Sequence, residues 1–148
     1  MPLERLQERL RYNFGDRRIL LQALTHTSYG HEFLQEIPLA LRDNERLEFL
    51  GDAILDVVIS DILLETFPNA NEGQLSKMRA AVVNEKTLAQ VSLSIRLEEC
   101  VRLGKGESQT RGREKPSILS STLEALISAI SLDGGFNAVY PVVRHLFA

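Results

Sequence analysis

The stretch Asn44-Glu45-Arg46-Leu47-Glu48-Phe49-Leu50-Gly51-Asp52-Ala53-Ile54-Leu55 decides how this chain folds and where its chemistry sits. Asn44 is a favourable residue to open a helix. The apolar-rich run beyond it meets no breaker until Pro68, so the pattern predicts a long helix from about Glu45 to Thr66. On such a helix Glu48 and Asp52 stand four residues apart and Glu45 three before Glu48, which puts all three along one face. Asp52 lies between Leu50-Gly51 and Ala53-Ile54-Leu55, a segment apolar enough for a core helix. An ionised carboxylate there is costly unless it is paired or holds a metal. Gly51 beside it costs helix stability relative to alanine, but it lets another backbone or a ligand approach closely.

Working outward, the chain reads as helical nearly throughout. Leu3, Leu6 and Leu10 recur at helical spacing in the segment from Leu3 to Tyr12. Asp16 is placed to cap a helix through Ile19, Leu20, Ala23 and Leu24. The segment from Thr27 to Arg42 lacks clean periodicity, contains Gly30 and Pro38, and reads as mostly loop. Asn71 and Glu72 start a helix that continues through Met78 to Val83, and Asn84 offers a cap for another from about Glu85 to Ser94. The segment from Leu103 to Pro116 holds three glycines and several charges and reads as an exposed flexible loop. Pro116 or Ser117 then opens a helix to about Leu132, Gly134-Gly135 stops it, and Phe136 to Phe147 forms the last helix. Cys100-Val101-Arg102-Leu103 is too short to build a sheet. The expectation is one all-α domain over residues 1–148, with about seven helices.

Bulk properties narrow the function classes. A chain of 148 residues can bury a real core. No apolar run is long enough to span a bilayer, and the charged, amphipathic start lacks the apolar core of a secretory signal. A single cysteine, Cys100, excludes an intrachain disulfide, so a cytoplasmic setting and no membrane partner are expected. The net charge of −3 is unusual for a nucleic-acid binder. Carboxylates gathered around a bound cation account for part of that deficit.

Glu124 repeats the anomaly of Asp52. The helix from Ile118 to Ile130 carries no other charge. Two such helices, each with an isolated acid, suggest one shared site, because acids from facing helices are a known way to hold divalent metals inside a bundle. Hard oxygen ligands favour Mg²⁺, with Mn²⁺ as an alternative. Spacing leaves other accounts open. Glu45 and Glu48 are also read as solvated acids near Arg46 or Arg42, and Asp52 and Glu124 as core acids paired with Arg79 or Lys77.

Asn44 to Leu55 closely resembles the signature of the ribonuclease III family. Ala23 to Tyr29 is similar to its ALTHxSY element, Glu72 to Ala80 to its EGxLSxxRA segment, and Leu103 to Glu107 to its LGxGE loop. Ile118 to Glu124 and Leu132 to Phe136 resemble the last two elements, so the likeness runs in order along nearly the whole chain. It implies an all-helical endonuclease domain that works as a homodimer. Such dimers cut both strands of double-stranded RNA and leave 5′-phosphate and 3′-hydroxyl ends. Carried over by position, Glu48 is a metal ligand, and Asp52 and Glu124 are catalytic acids on or near the metal. Glu45 and Glu72 are secondary acids at the cleft edge. Family members typically continue into a double-stranded-RNA-binding domain, and none is expected within residues 1–148.

One departure matters. The family usually has an aspartate three residues before the last glutamate, as a metal ligand, and here that position is Ser121. A serine hydroxyl is a neutral, weaker ligand, which leaves one position on the ion to water. Weaker metal affinity or slower turnover is expected, and a catalytically weakened or silent module acting in RNA binding or dimerisation is the alternative. A third class is an interaction domain whose acids are structural. The loop from Arg102 to Lys115 carries Arg102, Lys105, Arg111, Arg113 and Lys115 against Glu107 and Glu114. Lys105, Arg111, Arg113 and Lys115 are its candidates for phosphate contacts, with the three glycines allowing it to follow a backbone. A solvated mobile loop is the plain alternative. His26 is read as structural, near a helix end whose dipole favours it. Leu55, Val58, Ile59 and Ile62 are read as core, with some available to a dimer partner.

Overall fold

Residues Glu45–Thr66 and Pro116–Gly134 form two long helices that pack along each other at the centre of the molecule, in a computed structural model that describes residues 2–148. These are α5 and α9 in chain order. The others are α1 (Pro2–Leu10), α2 (Arg17–Ala23), α3 (Thr27–Phe33), α4 (Leu39–Arg42), α6 (Glu72–Val82), α7 (Glu85–Ser94), α8 (Lys105–Gln109) and α10 (Val139–Leu146). No strand forms among the described residues, and one isolated parallel bridge joins Thr25 to Arg102. No described helix is long and apolar enough to cross a membrane.

The all-α expectation holds, but the helix count is higher than about seven. α3 and α4 occupy the segment read as mostly loop, and α8 occupies the loop read as flexible. These three helices are seven, four and five residues long. Such short pieces carry too few turns to show an apolar period, and docking rather than propensity holds them. α3 is fastened to the segment after Cys100 by a row of hydrogen bonds. The Gly104 amide donates to Ser28 Oγ at 2.8 Å and the Lys105 amide to Glu32 Oε2 at 2.7 Å. Arg102 turns inward, donating to Thr25 Oγ1 at 2.9 and 2.7 Å and standing over the Tyr29 ring. Gly104 is needed for this packing rather than for flexibility, because a Cβ there would stand 2.7 Å from the Ser28 carbonyl oxygen.

α9 is the core helix. Leu119, Leu123, Leu126, Ile127 and Ile130 are buried, which is why its sequence runs without charge except at Glu124 and near its end. α5 buries Leu47, Ile54, Leu55, Val58 and Ile59 against it. α2, α7 and α10 add Leu20, Leu88, Val139 and Val143 to the same core. Each fully buried Leu or Ile stabilises the fold by about 1.5–3 kcal/mol relative to exposure.

Side-chain caps open α2, α6 and α7 where their sequences predict them. Asp16 accepts the Arg18 amide, Asn84 the Thr87 amide, and Asn71 with Gln74 forms a reciprocal capping box. Asn44 differs. It precedes α5 but donates through Nδ2 to the Ala23 carbonyl at 2.9 Å, while Asp43 accepts the Glu45 amide at 3.1 Å. Buried Asn44 therefore ties the start of α5 to the end of α2. Gly135, at φ +93°, closes α9.

Candidate active site

Gly51 is where α5 and α9 come closest. A Cβ at this position would stand 1.8 Å from the Glu124 carbonyl oxygen and 2.5 Å from its carbon. The close approach allowed by the glycine is therefore that of the α9 backbone. It brings the Glu124 side chain within hydrogen-bonding reach of Asp52, one residue beyond Gly51. One turn earlier on each helix, Ser121 Oγ donates to Glu48 Oε1 at 3.1 Å. The helix pair thus carries two rungs across its seam, Ser121–Glu48 and Glu124–Asp52.

Burial corrects one expectation. Asp52 is exposed rather than a core acid, and Glu48 and Glu124 are half-buried. The seam opens to solvent along the acids, so α5 shows its apolar residues to the core and its acids to a cleft edge. Glu124 is nonetheless pushed up to about 8, first by burial, then by its hydrogen bond to Asp52, then by the charges of Asp52, Glu48 and Asp56. The protonated form of Glu124 is therefore favoured beside Asp52. Of the basic residues named as partners for these acids, Arg79 and Arg42 are engaged elsewhere. Arg79 pairs with Asp56 at 3.6 Å and donates to Ser60 Oγ at 2.9 Å, and Arg42 donates to the carbonyls of Gln35 and Ile37.

Among the described residues no three His, Cys, Asp or Glu side chains are drawn together tightly enough to encircle an ion. The donors along the seam are nevertheless all oxygens on two mutually fixed helices, and one of them holds a proton a cation would displace. That chemistry suits a hard divalent cation. Glu45 lines the same cavity as Glu48 and Ser121. Glu72 does not join them. It begins α6 and lines a separate cavity with Ser60, Leu64 and Arg79.

The basic loop is largely self-engaged. Arg113 donates to the carbonyls of Glu98 and Val101, and Lys115 Nζ donates to Glu107 at 2.6 Å and Thr110 at 3.2 Å. Lys105 and Arg111 are exposed, with Arg111 only 4.0 Å from Glu114. His26 also departs from the dipole account, since it caps the start of α3 as an acceptor of the Ser28 amide. A helix start disfavours a charged imidazole, and burial lowers the His26 pKa further.

Two features went unread in the sequence. Asp56 extends the row Glu48, Asp52 by one more turn, at a four-residue spacing that was visible. The second is an apolar face beside the acids. Phe49, Val57 and Leu64 of α5 are 82, 54 and 62% exposed, flanked by Leu41 and Leu132. Leu55, Val58 and Ile59 are core, and Phe49, Val57 and Leu64 lie on the opposite, outward side of α5. A cavity of about 750 Å³ beside Phe49 is lined by Ile19, Leu41, Leu47, Leu50 and Leu132. An apolar face of this kind marks an interaction surface.

A helical core whose two longest members present an acid-lined seam beside an apolar face defines the class: an all-α domain with carboxylates set along the seam of its two central helices. The comparisons agree. A family model described as Ribonuclease-III-like matches residues 16–148. Ribonuclease 3 of Syntrophobacter fumaroxidans is 51% identical over 147 residues, 98% of this chain and 59% of that protein. Ribonuclease 3 of Streptomyces coelicolor is 48% identical, covering 96% of this chain and 49% of that protein. The solved nuclease domain of ribonuclease III from Campylobacter jejuni superposes with a TM-score of 0.87 at 42% identity, covering 97% of this chain and 94% of that one. One study of that domain describes structural flexibility in a region involved in its dimer formation. The chain belongs to the ribonuclease III family. It spans about three fifths of the length of several curated relatives it matches.

Proposed function

We propose that this domain, as a homodimer, performs metal-dependent endonucleolytic cleavage of double-stranded RNA, leaving 5′-phosphate and 3′-hydroxyl ends. The carrying observation is the seam itself, where Glu124 on α9 is held against Asp52 on α5 by the Gly51 contact. Glu48, Asp52 and Glu124 would hold Mg²⁺, or Mn²⁺ in its place. Such an ion, when bound, activates water and stabilises an in-line phosphoryl displacement. Asp52, being exposed, is reachable by a phosphate entering from solvent. Without the ion, burial and the neighbouring acids favour the protonated form of Glu124; on binding the ion, Glu124 would give up that proton and serve as a carboxylate ligand. Ser121 keeps Glu48 oriented across the seam. Lys105 and Arg111 project toward solvent and serve phosphate contacts, while Arg113 and Lys115 keep the loop in shape. The exposed row Phe49, Val57 and Leu64 is the dimer face.

The Ser121–Glu48 bond also favours a second reading, a module that binds duplex RNA and cuts it poorly. A neutral hydroxyl supplies less attraction to a cation than a carboxylate. Cleavage of a duplex RNA across a Mg²⁺ titration separates the readings. Wild type is expected to need high Mg²⁺, and Ser121→Asp to lower that requirement about tenfold, the effect typical of altering a metal's immediate surroundings. Glu124→Gln is expected to abolish cutting. Cleavage absent in wild type and in S121D leaves the binding module as the better reading, and normal cleavage by E124Q removes the assigned chemistry.

A further inference from the structure

A cavity of about 470 Å³ opens beside the acids, between α3 and the starts of α5 and α9, with His26, His31, Asn44, Glu45, Glu48 and Ser121 among its walls. His26 is the informative member. Its Nδ1 accepts the Ser28 amide N–H at 3.2 Å and lies 2.8 Å from Ser28 Oγ. That hydroxyl itself accepts the Gly104 amide at 2.8 Å, which leaves its hydrogen free to point at the ring. A backbone amide can only donate, so Nδ1 carries no proton, and the neutral imidazole carries its proton on Nε2. Burial keeps the ring on the neutral side. Among the described residues Nε2–H has no hydrogen-bond partner.

The rest of the wall decides what that donor meets. It presents two carboxylates, Glu45 and Glu48, and no lysine or arginine. A phosphate would meet like charge from Glu45, which lies outside the set proposed to hold the cation. A neutral group that accepts one hydrogen bond and donates another matches the wall, and the 2′-hydroxyl of RNA is such a group. We propose that this cavity receives a ribose 2′-hydroxyl next to the cleavage position, which accepts from His26 Nε2–H and donates to Glu45 or Glu48. His26 is then a specificity-determining residue that separates RNA from DNA at this point of the strand. This inference rests on the duplex-RNA reading above.

The test measures binding by fluorescence anisotropy, with Glu124→Gln as the parent so that the RNA stays intact. Duplexes carry a single 2′-deoxy nucleotide, walked position by position across the cleavage site. In the parent, one position is expected to weaken binding about 10-fold, the effect of losing the hydroxyl's two modest hydrogen bonds. His26→Asn keeps an acceptor suited to the cap of α3 but is too short to present the outward donor. In H26N the deoxy penalty at that position is expected to fall to about 3-fold, the part carried by the bond to the carboxylate, while His26→Gln, whose amide reaches further, restores part of the loss. A variant-free arm uses 2′-O-methyl at the same positions. It removes the hydroxyl's donor and adds bulk, so the same single position is expected to lose binding most. A deoxy penalty undiminished in H26N, or deoxy and methyl effects that are uniform along the strand, overturns the proposal while leaving the duplex-RNA reading intact. A parent that binds no duplex RNA overturns both.

Discussion

Gly51→Ala is a one-carbon change whose effect is set by opposing quantities. On an isolated helix it is favourable by about 0.5–1 kcal/mol, because alanine loses less backbone freedom than glycine. Here the new Cβ meets the Glu124 carbonyl oxygen at 1.8 Å, whereas an ordinary contact lies at 3.4–4 Å. The opposing atoms are the backbone of α9, so no rotamer change relieves the clash, and the helices must part by about 1.6 Å. A gap of 0.5–1 Å already forfeits roughly a quarter to a half of a dispersion contact. Overpacking of this kind costs about 3 kcal/mol, the upper end of its usual range, because the obstacle is rigid. The net loss is then about 2 kcal/mol, a fall in Tm of roughly 4–8 °C for a domain of this size. Parting the helices also draws Glu124 away from Asp52, so its carboxyl should move down from about 8 toward the ordinary range. Thermal unfolding gives the first quantity and NMR titration of the Glu124 side chain the second. A G51A variant with an unchanged or higher Tm and an unmoved Glu124 would falsify the claim that this contact sets the seam.

Three further outcomes follow from named contacts. Glu124 is raised in the folded state, so wild-type stability is fullest below the ordinary carboxylate range and is lost as pH rises through about 8. Glu124→Gln should flatten that slope in denaturation midpoints taken at pH 5 and pH 9, and an unchanged slope refutes the shift. Tyr12 donates to Asp133 at 2.5 Å, and Asp133 also accepts the amides of Gly15 and Asp16, so Tyr12→Phe should cost about 1 kcal/mol for this partly exposed bond. Asp133 is lowered and Tyr12 raised to about 12, so the bond's contribution is lost as pH falls below the ordinary Asp range and again as pH rises from 10 toward 12. Equal wild-type and Y12F midpoints at pH 7 refute this role. Phe49→Glu places a charge on the apolar face and should convert a dimer into monomer by analytical ultracentrifugation, with helix content retained by circular dichroism. A dimer of unchanged strength moves the interface elsewhere.

The long helices were legible because period and punctuation agreed. Between Asn44 and Pro68 nothing interrupts α5, and Gly134-Gly135 ends α9 where the apolar run ends. α3, α4 and α8 were not legible, because their order comes from distant partners such as Gly104 on Ser28 and Arg102 on Thr25, and a linear pattern carries no record of such pairings. The same limit explains the site. Spacing placed Glu48 and Asp52 on one face, but only the approach of α9 at Gly51 shows that this face meets Glu124 at the rim of the core rather than inside it. The same limit bears on the basic loop. Of its five positive residues, Lys105, Arg111, Arg113 and Lys115 are the candidates for phosphate contacts, yet Arg113 and Lys115, with Arg102, are turned to carbonyls, hydroxyls and Glu107 of this chain. A basic residue contributes to nucleic-acid binding only with the charge left after its internal partners are counted, which here leaves Lys105 and Arg111. In the proposed function the acids of the seam then add attraction for a phosphate only through a cation they hold.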